Sequence, residues 1–233
     1  MLELVPDGFE EVDRGSEVEL AAYGETGVEE RLRAAFGFVQ VDEVADGWQH
    51  RWREFHRPAR IGPLWIGPPW LPPPGDAIAV VIDPGRAFGT GAHATTRLCL
   101  ELLVELDRGS LLDVGCGSGV LGIAAAKLGY RPVHMLDSDP VAVEVAAANA
   151  RANGLDLEPR LADAFTDHLP AVDVAVANLT FDAVGALGSR LRSRLLVASG
   201  YPAQEVPALA GFRRLERRAT DGWAAEVFSL ETE

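Results

Sequence analysis

Leu111-Leu112-Asp113-Val114-Gly115-Cys116-Gly117-Ser118-Gly119 is the stretch from which the fold of this chain is read. An apolar run carries a carboxylate near its end, three glycines alternate after it, and a helical pattern over residues 119–128 follows. Glycine permits the positive φ of a tight turn and removes the Cβ that would hold a ligand away from the backbone. The helix start behind it offers N–H groups that lack intrahelical partners. Strand, glycine loop and helix in that order build the ligand crevice of an open α/β sheet, outside the carboxyl ends of its strands.

On both sides of this loop, apolar strands alternate with helical periodicity. The patterns predict strand 78–82, helix 94–106, strand 111–114, helix 119–128, strand 132–136 and helix 140–152, then strands 157–161 and 172–177, helix 181–192 and strand 194–198. Such alternation implies a parallel sheet covered on both faces. Residues 213–219 and 223–230 flank Asp221-Gly222, a dipeptide typical of two-residue hairpins, so an antiparallel pair is expected to close the sheet. The expected fold class is α/β, a Rossmann-like doubly wound sheet over residues 76–233 with a C-terminal antiparallel hairpin. Ahead of it, a strand from Glu17 to Ala22, a helix from Val28 to Phe36 and a strand from Phe38 to Val44 predict a small α+β lobe over residues 1–46. Between them, residues 47–75 hold four of the five Trp together with Pro68-Pro69 and Pro72-Pro73-Pro74. This reads as an extended, semi-rigid linker, with a loop pinned by aromatic packing as the equal alternative.

With 233 residues, 48% of them hydrophobic, the chain can bury one substantial core and a small appendage. Its 21 Lys+Arg and 35 Asp+Glu give a net charge of −14, which disfavours nucleic-acid binding and suits a basic partner, although solubility alone explains it equally well. Cys99 and Cys116 form neither a CxxC pair nor part of a ligand cluster, so no disulfide and no metal are expected. The start, Met1 to Asp7, has no leader character, and no apolar run approaches the ~20 residues that span a bilayer. A cytoplasmic protein that binds no membrane is expected, with a monomer favoured.

Two cofactors compete for the glycine loop. Gly117-Ser118-Gly119-Val120-Leu121-Gly122 satisfies the G-x-G-x-x-G of dinucleotide sites. In that fingerprint the first glycine follows the strand directly, whereas here Asp113 to Cys116 intervene. Asp113 would repel a pyrophosphate and attract the ammonium of an amino acid, which favours S-adenosyl-L-methionine, whose methionine end presents one. Gly115, Gly117 and Gly119 are then the cradle. Asp137 closes the next strand and is the candidate acceptor for both ribose hydroxyls, while Asp139 with Pro140 reads as the N-cap and first residue of a helix. Asp163, at a further strand end, is a candidate acceptor for the adenine amino group or, nearly as readily, a solvated loop acid.

These residues, with Ile82-Asp83-Pro84-Gly85-Arg86-Ala87-Phe88-Gly89-Thr90-Gly91-Ala92-His93-Ala94-Thr95-Thr96-Arg97 and Ala177-Asn178-Leu179, resemble the PrmA family, the methyltransferases of ribosomal protein L11. The likeness runs from about Glu17 to the end of the chain. It implies a class I methyltransferase fold, S-adenosyl-L-methionine as methyl donor, the ribosomal protein as partner, and several methyl groups per amine on lysine and α-amino targets. By resemblance, Thr96, Gly115, Asp137 and Asn178 bind the cofactor or line its site. Thr95-Thr96 also fit a helix start, where hydroxyls and unpaired N–H groups hold a carboxylate or simply cap the helix. Phe88 and Thr90, in Phe88-Gly89-Thr90-Gly91, read as a lid over the methionine end or as a tight turn. Asn178 and the backbone carbonyl of Leu179 are the expected catalytic groups, accepting amine hydrogen bonds and aiming the lone pair. Family members usually carry a longer, ferredoxin-like N-terminal domain, of which about one strand and one helix would be missing here. Two other functions compete: a methyltransferase of another protein lysine or of a small molecule, and a non-catalytic binding module.

Overall fold

The computed structural model describes residues 9–13, 18–22, 28–40, 58–83 and 93–231. The chain divides into two compact units, Met1–Trp52 and Arg53–Glu233. In the first, β1 (Phe9–Asp13) pairs antiparallel with β2 (Val18–Ala22), and α1 (Val28–Phe36) carries a Glu29–Arg33 ion pair at 2.7 Å. β1 is an addition to the sequence reading. Residues 38–40, expected to open a strand, have no regular structure, and residues 41–44 lie outside the described residues.

The second unit holds two sheets. β3 (Ala59–Ile61), β4 (Leu64–Gly67) and β5 (Ile78–Val81) form a three-stranded sheet, antiparallel then parallel. Two corrections follow. Part of the stretch read as a linker is strand, because Ile61, Leu64 and Ile66 are apolar enough to be buried and Pro63 falls in the turn, where its missing N–H matters least. β5 is also not part of the main sheet: its backbone is engaged by β4 on one side and, at Val81, by the Asn153 side-chain amide.

The main sheet has seven strands in the order β11-β12-β10-β9-β6-β7-β8: β6 (Leu111–Val114), β7 (Val133–Asp137), β8 (Arg160–Leu161), β9 (Val172–Asn178), β10 (Ser193–Pro202), β11 (Phe212–Thr220) and β12 (Trp223–Leu230). The strands from β10 to β8 are parallel, and the hairpin β11–β12 closes the edge antiparallel. Asp221 and Gly222 both take positive φ, 50° and 78°, which sets the twist of a two-residue turn. Chain order reverses between β6 and β9, so the crevice opens there.

Both faces are buried, and strand alternation sorts them. Val174, Val176, Val197, Ala225 and Val227 face α2 (Ala94–Glu105) and α3 (Val120–Leu128), while Ala175, Ala177, Leu196 and Phe228 pack with Val184 and Leu187 of α5 (Phe181–Leu187). α4 (Pro140–Ala152) begins as expected, with the Asp139 carboxylate accepting from Val141 N at 2.8 Å. α5 ends five residues earlier than its apolar pattern suggests, at Leu187. Gly188 packs directly on the Ala210 backbone, and Arg190 and Leu191 turn back onto the Leu187 carbonyl, so the periodicity continues in a turn.

One buried carboxylate ties the hairpin to the sheet. Glu226 is fully buried and accepts from Tyr201 Oη at 3.2 Å, Arg214 Nη1 at 3.1 Å and Arg217 Nη1, while Arg217 Nη2 donates to the Ala203 and Glu205 carbonyls. Removing one member of such a network strands the others. Glu226→Ala is therefore expected to lower unfolding free energy by about 3 kcal/mol, read as a lower urea midpoint; an unchanged midpoint would show that the arginines resolvate at no cost.

Candidate functional site

The glycine loop leaves β6 with a backbone only glycine adopts readily: φ is 70° at Gly115, 52° at Gly117 and 80° at Gly119. Three sets of hydrogen bonds hold it in place. The Leu136 carbonyl of β7 accepts from Gly115 N at 2.9 Å and Cys116 N at 3.0 Å. Asp137 accepts from Gly117 N through Oδ2 at 2.9 Å and from Asp139 N through Oδ1 at 3.0 Å. Asn149, 3% exposed, donates from Nδ2 to the Ser118 carbonyl at 2.9 Å and accepts from Asp83 N at 3.1 Å. With Asn153 four residues on, it straps the exit of β5 to the loop through α4. Neither asparagine is among the residues expected at the site from sequence, although a polar pair at i,i+4 near the end of an alanine-rich helix is legible there.

Asp113 differs from its expected role. Its side chain is 1% exposed, and its Oδ2 accepts from Gly122 N, in the first turn of α3, at 2.8 Å. It therefore fastens the loop to the helix from beneath and does not present an acceptor at the surface. Burial pushes its carboxyl up to about 7, aided by the charge of Asp137 and opposed by the Gly122 N–H. Burial likewise raises the Cys116 thiol, which stays protonated at neutral pH.

Across the crevice, the structure unites two residues 82 positions apart. Asn178, at the end of β9, donates from Nδ2 to Thr96 Oγ1, in the first turn of α2, at 3.3 Å. Thr96 is 1% exposed, so its hydroxyl serves this contact and not the helix cap. Capping belongs to His93, whose Nδ1 lies 2.8 Å from Thr95 Oγ1 and 3.4 Å from Thr95 N. The donation to Thr96 leaves the Asn178 Oδ1 as an acceptor.

Leu179 follows and is held between two glycines. A Cβ on Gly115 would lie 2.6 Å from Leu179 Cδ2, and one on Gly200 would lie 2.1 Å from the Leu179 carbonyl oxygen. Gly200, with φ 104°, sits where the register of β10 on β12 shifts between Ser199 and Tyr201. A lone glycine inside an apolar strand was the available sign of this bulge.

Asp163 stands beyond β8, half-buried, with Oδ1 accepting from Phe165 N at 2.8 Å. The side chains of Leu161 and Phe165 beside it are exposed. Phe88 and Thr90 lie outside the described residues. No group of three or more potential metal ligands occurs among the described residues, and no described helix is long and apolar enough to cross a membrane. A separate cavity of about 250 Å³, lined by Leu112, His134, Leu136, Glu158, Arg160 and His168 among others, shares Leu136 with the anchorage of the loop and includes none of Thr96, Asp113, Asp137, Asp163 and Asn178.

Residues 16–202 match the family model described as "Ribosomal protein L11 methyltransferase (PrmA)". The ribosomal protein L11 methyltransferase of Methylococcus capsulatus is 39% identical over 212 residues, covering 84% of this chain and 71% of that protein. The enzyme of the same name from Herpetosiphon aurantiacus is 36% identical, with 81% and 71% covered. Among solved structures, the ribosomal protein L11 methylase of Lactobacillus delbrueckii subsp. bulgaricus superposes with a TM-score of 0.63 at 29% identity, covering 73% of this chain and 96% of that one. The tRNA (uracil-54, C5)-methyltransferase of Pyrococcus abyssi, solved with S-adenosyl-L-homocysteine, shares the fold at a TM-score of 0.52 and 20% identity, with 75% and 43% covered.

The raised Asp113 carboxyl sets a pH dependence. The folded chain keeps a proton that the unfolded chain loses near 3.8, so this contribution to stability is full below that value and is lost as pH rises to about 7. Asp113→Asn, which retains an acceptor for Gly122 N, is expected to flatten the stability profile across that window in urea unfolding. Equal slopes in the two proteins would refute the assignment.

Proposed function

The chain belongs to the ribosomal protein L11 methyltransferase (PrmA) family and is a methyltransferase, and we propose that it moves methyl groups from S-adenosyl-L-methionine to amino groups of ribosomal protein L11, at lysine side chains and the N-terminal amine. The observation that carries this reading is the Asn178–Thr96 contact facing the glycine loop across the β6/β9 crevice, which puts an amide acceptor beside a cofactor cradle.

The residues present fit the cofactor. Three glycines at positive φ bring the loop backbone against Leu179, next to Asn178, and Asp137 ends β7 with a carboxylate held to the loop at Gly117 N. In this reading Gly115, Gly117 and Gly119 line the methionine end, Thr96 and the start of α2 hold its carboxylate, Asp137 takes the ribose hydroxyls, and Asp163 the adenine amino group. Asp113 acts through the loop that it anchors. When bound, the sulfonium supplies an electrophilic methyl group, and the remaining work falls to the chain.

That work is positioning and deprotonation. A lysine amine, with a pKa of ~10.4, arrives protonated and reacts only after losing a proton. Asn178 Oδ1 and the Leu179 carbonyl accept amine N–H bonds and turn the lone pair toward the methyl group. The proton leaves to water. Fixing Asn178 through Thr96 spends its amide donor on the scaffold and reserves its oxygen for the substrate.

Three measurements test this. Incubation with labelled S-adenosyl-L-methionine and unmethylated ribosomal protein L11 is expected to add methyl groups locatable by mass spectrometry, and absence of transfer with cofactor binding intact would point to another substrate. Asp137→Ala is expected to weaken cofactor binding at least about ten-fold, for loss of two charge-assisted hydrogen bonds; unchanged calorimetric affinity would remove the ribose assignment. Asn178→Ala is expected to slow single-turnover transfer by about a hundred-fold with much less effect on cofactor affinity. Wild-type single-turnover rates would end the amine-positioning role.

A further inference from the structure

The direction from which the amine reaches Asn178 is written in the sheet register. At the carboxyl end of the parallel strands, Val114 pairs with Ala177, Asn178 with Ser199, and Ser199 with Ala225 of β12. The glycine loop therefore lies on the β6 side of Asn178, and the hairpin strand on the other. Because β12 runs antiparallel, Trp223 lies two residues past Ala225 toward the end of the sheet where the loop sits. Alternation puts it on the face of Ala225 and Val227, which is the face packed against α2. Its ring meets His93, the N-cap of α2, edge to face, with centroids 4.9 Å apart and planes at 69°. His93 is exposed and Trp223 half-buried, three residues and one helix turn from the Thr96–Asn178 contact.

We propose that Trp223, braced by His93, is the substrate-side wall of the site, receiving the target amine as a cation and holding its methylated forms by cation–π attraction. This rests on the amine-methylation reading above. An indole face attracts a cation through its quadrupole, and attracts an alkylated ammonium well because that ion gives up less hydration on leaving water. Asn178 cannot supply this recognition: each methyl group added removes an N–H that its oxygen would accept, and a tertiary amine cation keeps only one. The wall gains hold as the amide loses it. In each round the nitrogen, its proton given up to water, forms the N–C bond with its lone pair as the S–C bond breaks and its electron pair remains on sulfur as a neutral thioether. The partly methylated amine then returns to the wall as a cation without leaving the site.

The test compares Trp223→Phe and Trp223→Leu with wild type on two substrates, unmodified ribosomal protein L11 and the same protein dimethylated chemically at its lysines. Trp223→Leu is expected to raise KM on the dimethylated substrate by about ten-fold, with a smaller rise on the unmodified one, and to stop at lower methyl counts by mass spectrometry. Trp223→Phe, which keeps a ring, recovers part of the loss, and calorimetric affinity for S-adenosyl-L-methionine stays at wild type in both. Wild-type KM and methyl counts in Trp223→Leu would overturn the proposal. If wild type transfers nothing to either substrate, the amine-methylation reading fails first, and the wall is judged by titration of the whole protein with N-acetyl-trimethyllysine amide and its neutral carbon isostere. A shift of the Trp223 indole N–H resonance, assigned through Trp223→Phe, by the cation alone supports the wall; no shift, or equal shifts by both, overturns it.

Discussion

A backbone that takes positive φ at three of five consecutive residues needs anchorage from outside itself, and the strands and helices around the loop supply it. Positive φ at Gly115, Gly117 and Gly119 leaves the N–H groups of the loop pointing away from any regular ladder. Buried N–H groups without partners are costly. β7 takes up three of them, two at the Leu136 carbonyl and one at the Asp137 carboxylate, while Asp113 holds the start of α3 and Asn149 the carbonyl of Ser118. A loop pinned from a neighbouring strand, from below and from α4 reorganises little when a ligand arrives, which is what a preorganised site requires.

The opposite wall is built by a different device. Leu179 leaves β9 between Gly115 and Gly200, two positions without room for a Cβ, so the chain after Asn178 is held by close packing on both sides. The bulge at Gly200 lets β10 pass this turn and still pair with β12. α2 presents its first turn to the same point, tying Thr96 to Asn178 and His93 to Trp223. The three-stranded sheet is tied to the loop through Asp83 and Asn149. Asn178 thus serves the scaffold with its amide nitrogen, while both carboxylate oxygens of Asp137 are held by backbone N–H groups.

The buried charge of Glu226 follows the same economy at the far edge. Two arginines and a tyrosine converge on one carboxylate and fix the hairpin that carries Trp223. A hairpin at a sheet edge would otherwise fray, and an edge strand rich in Arg resists pairing with other chains.

The sequence by itself determined the alternation of strands and helices, the glycine loop, the Asp139 cap and the Asp221-Gly222 turn, because each depends on residues within a few positions of one another. Periodicity, capping and turn preference are local effects, and a single strand of text carries them. It did not determine that residues 59–61 and 64–67 are strands and that the second of them pairs with β5, that the helix after Asn178 stops at Leu187, or that Asp113 faces the core instead of the crevice. Those outcomes depend on which distant backbone or cavity lies opposite: Asn153 for Val81, Ala210 for Gly188, Gly122 and the packed start of α3 for Asp113. The Thr96–Asn178 and His93–Trp223 pairs belong to the same class, since 82 and 130 residues separate their members and only the closing of the sheet brings them together.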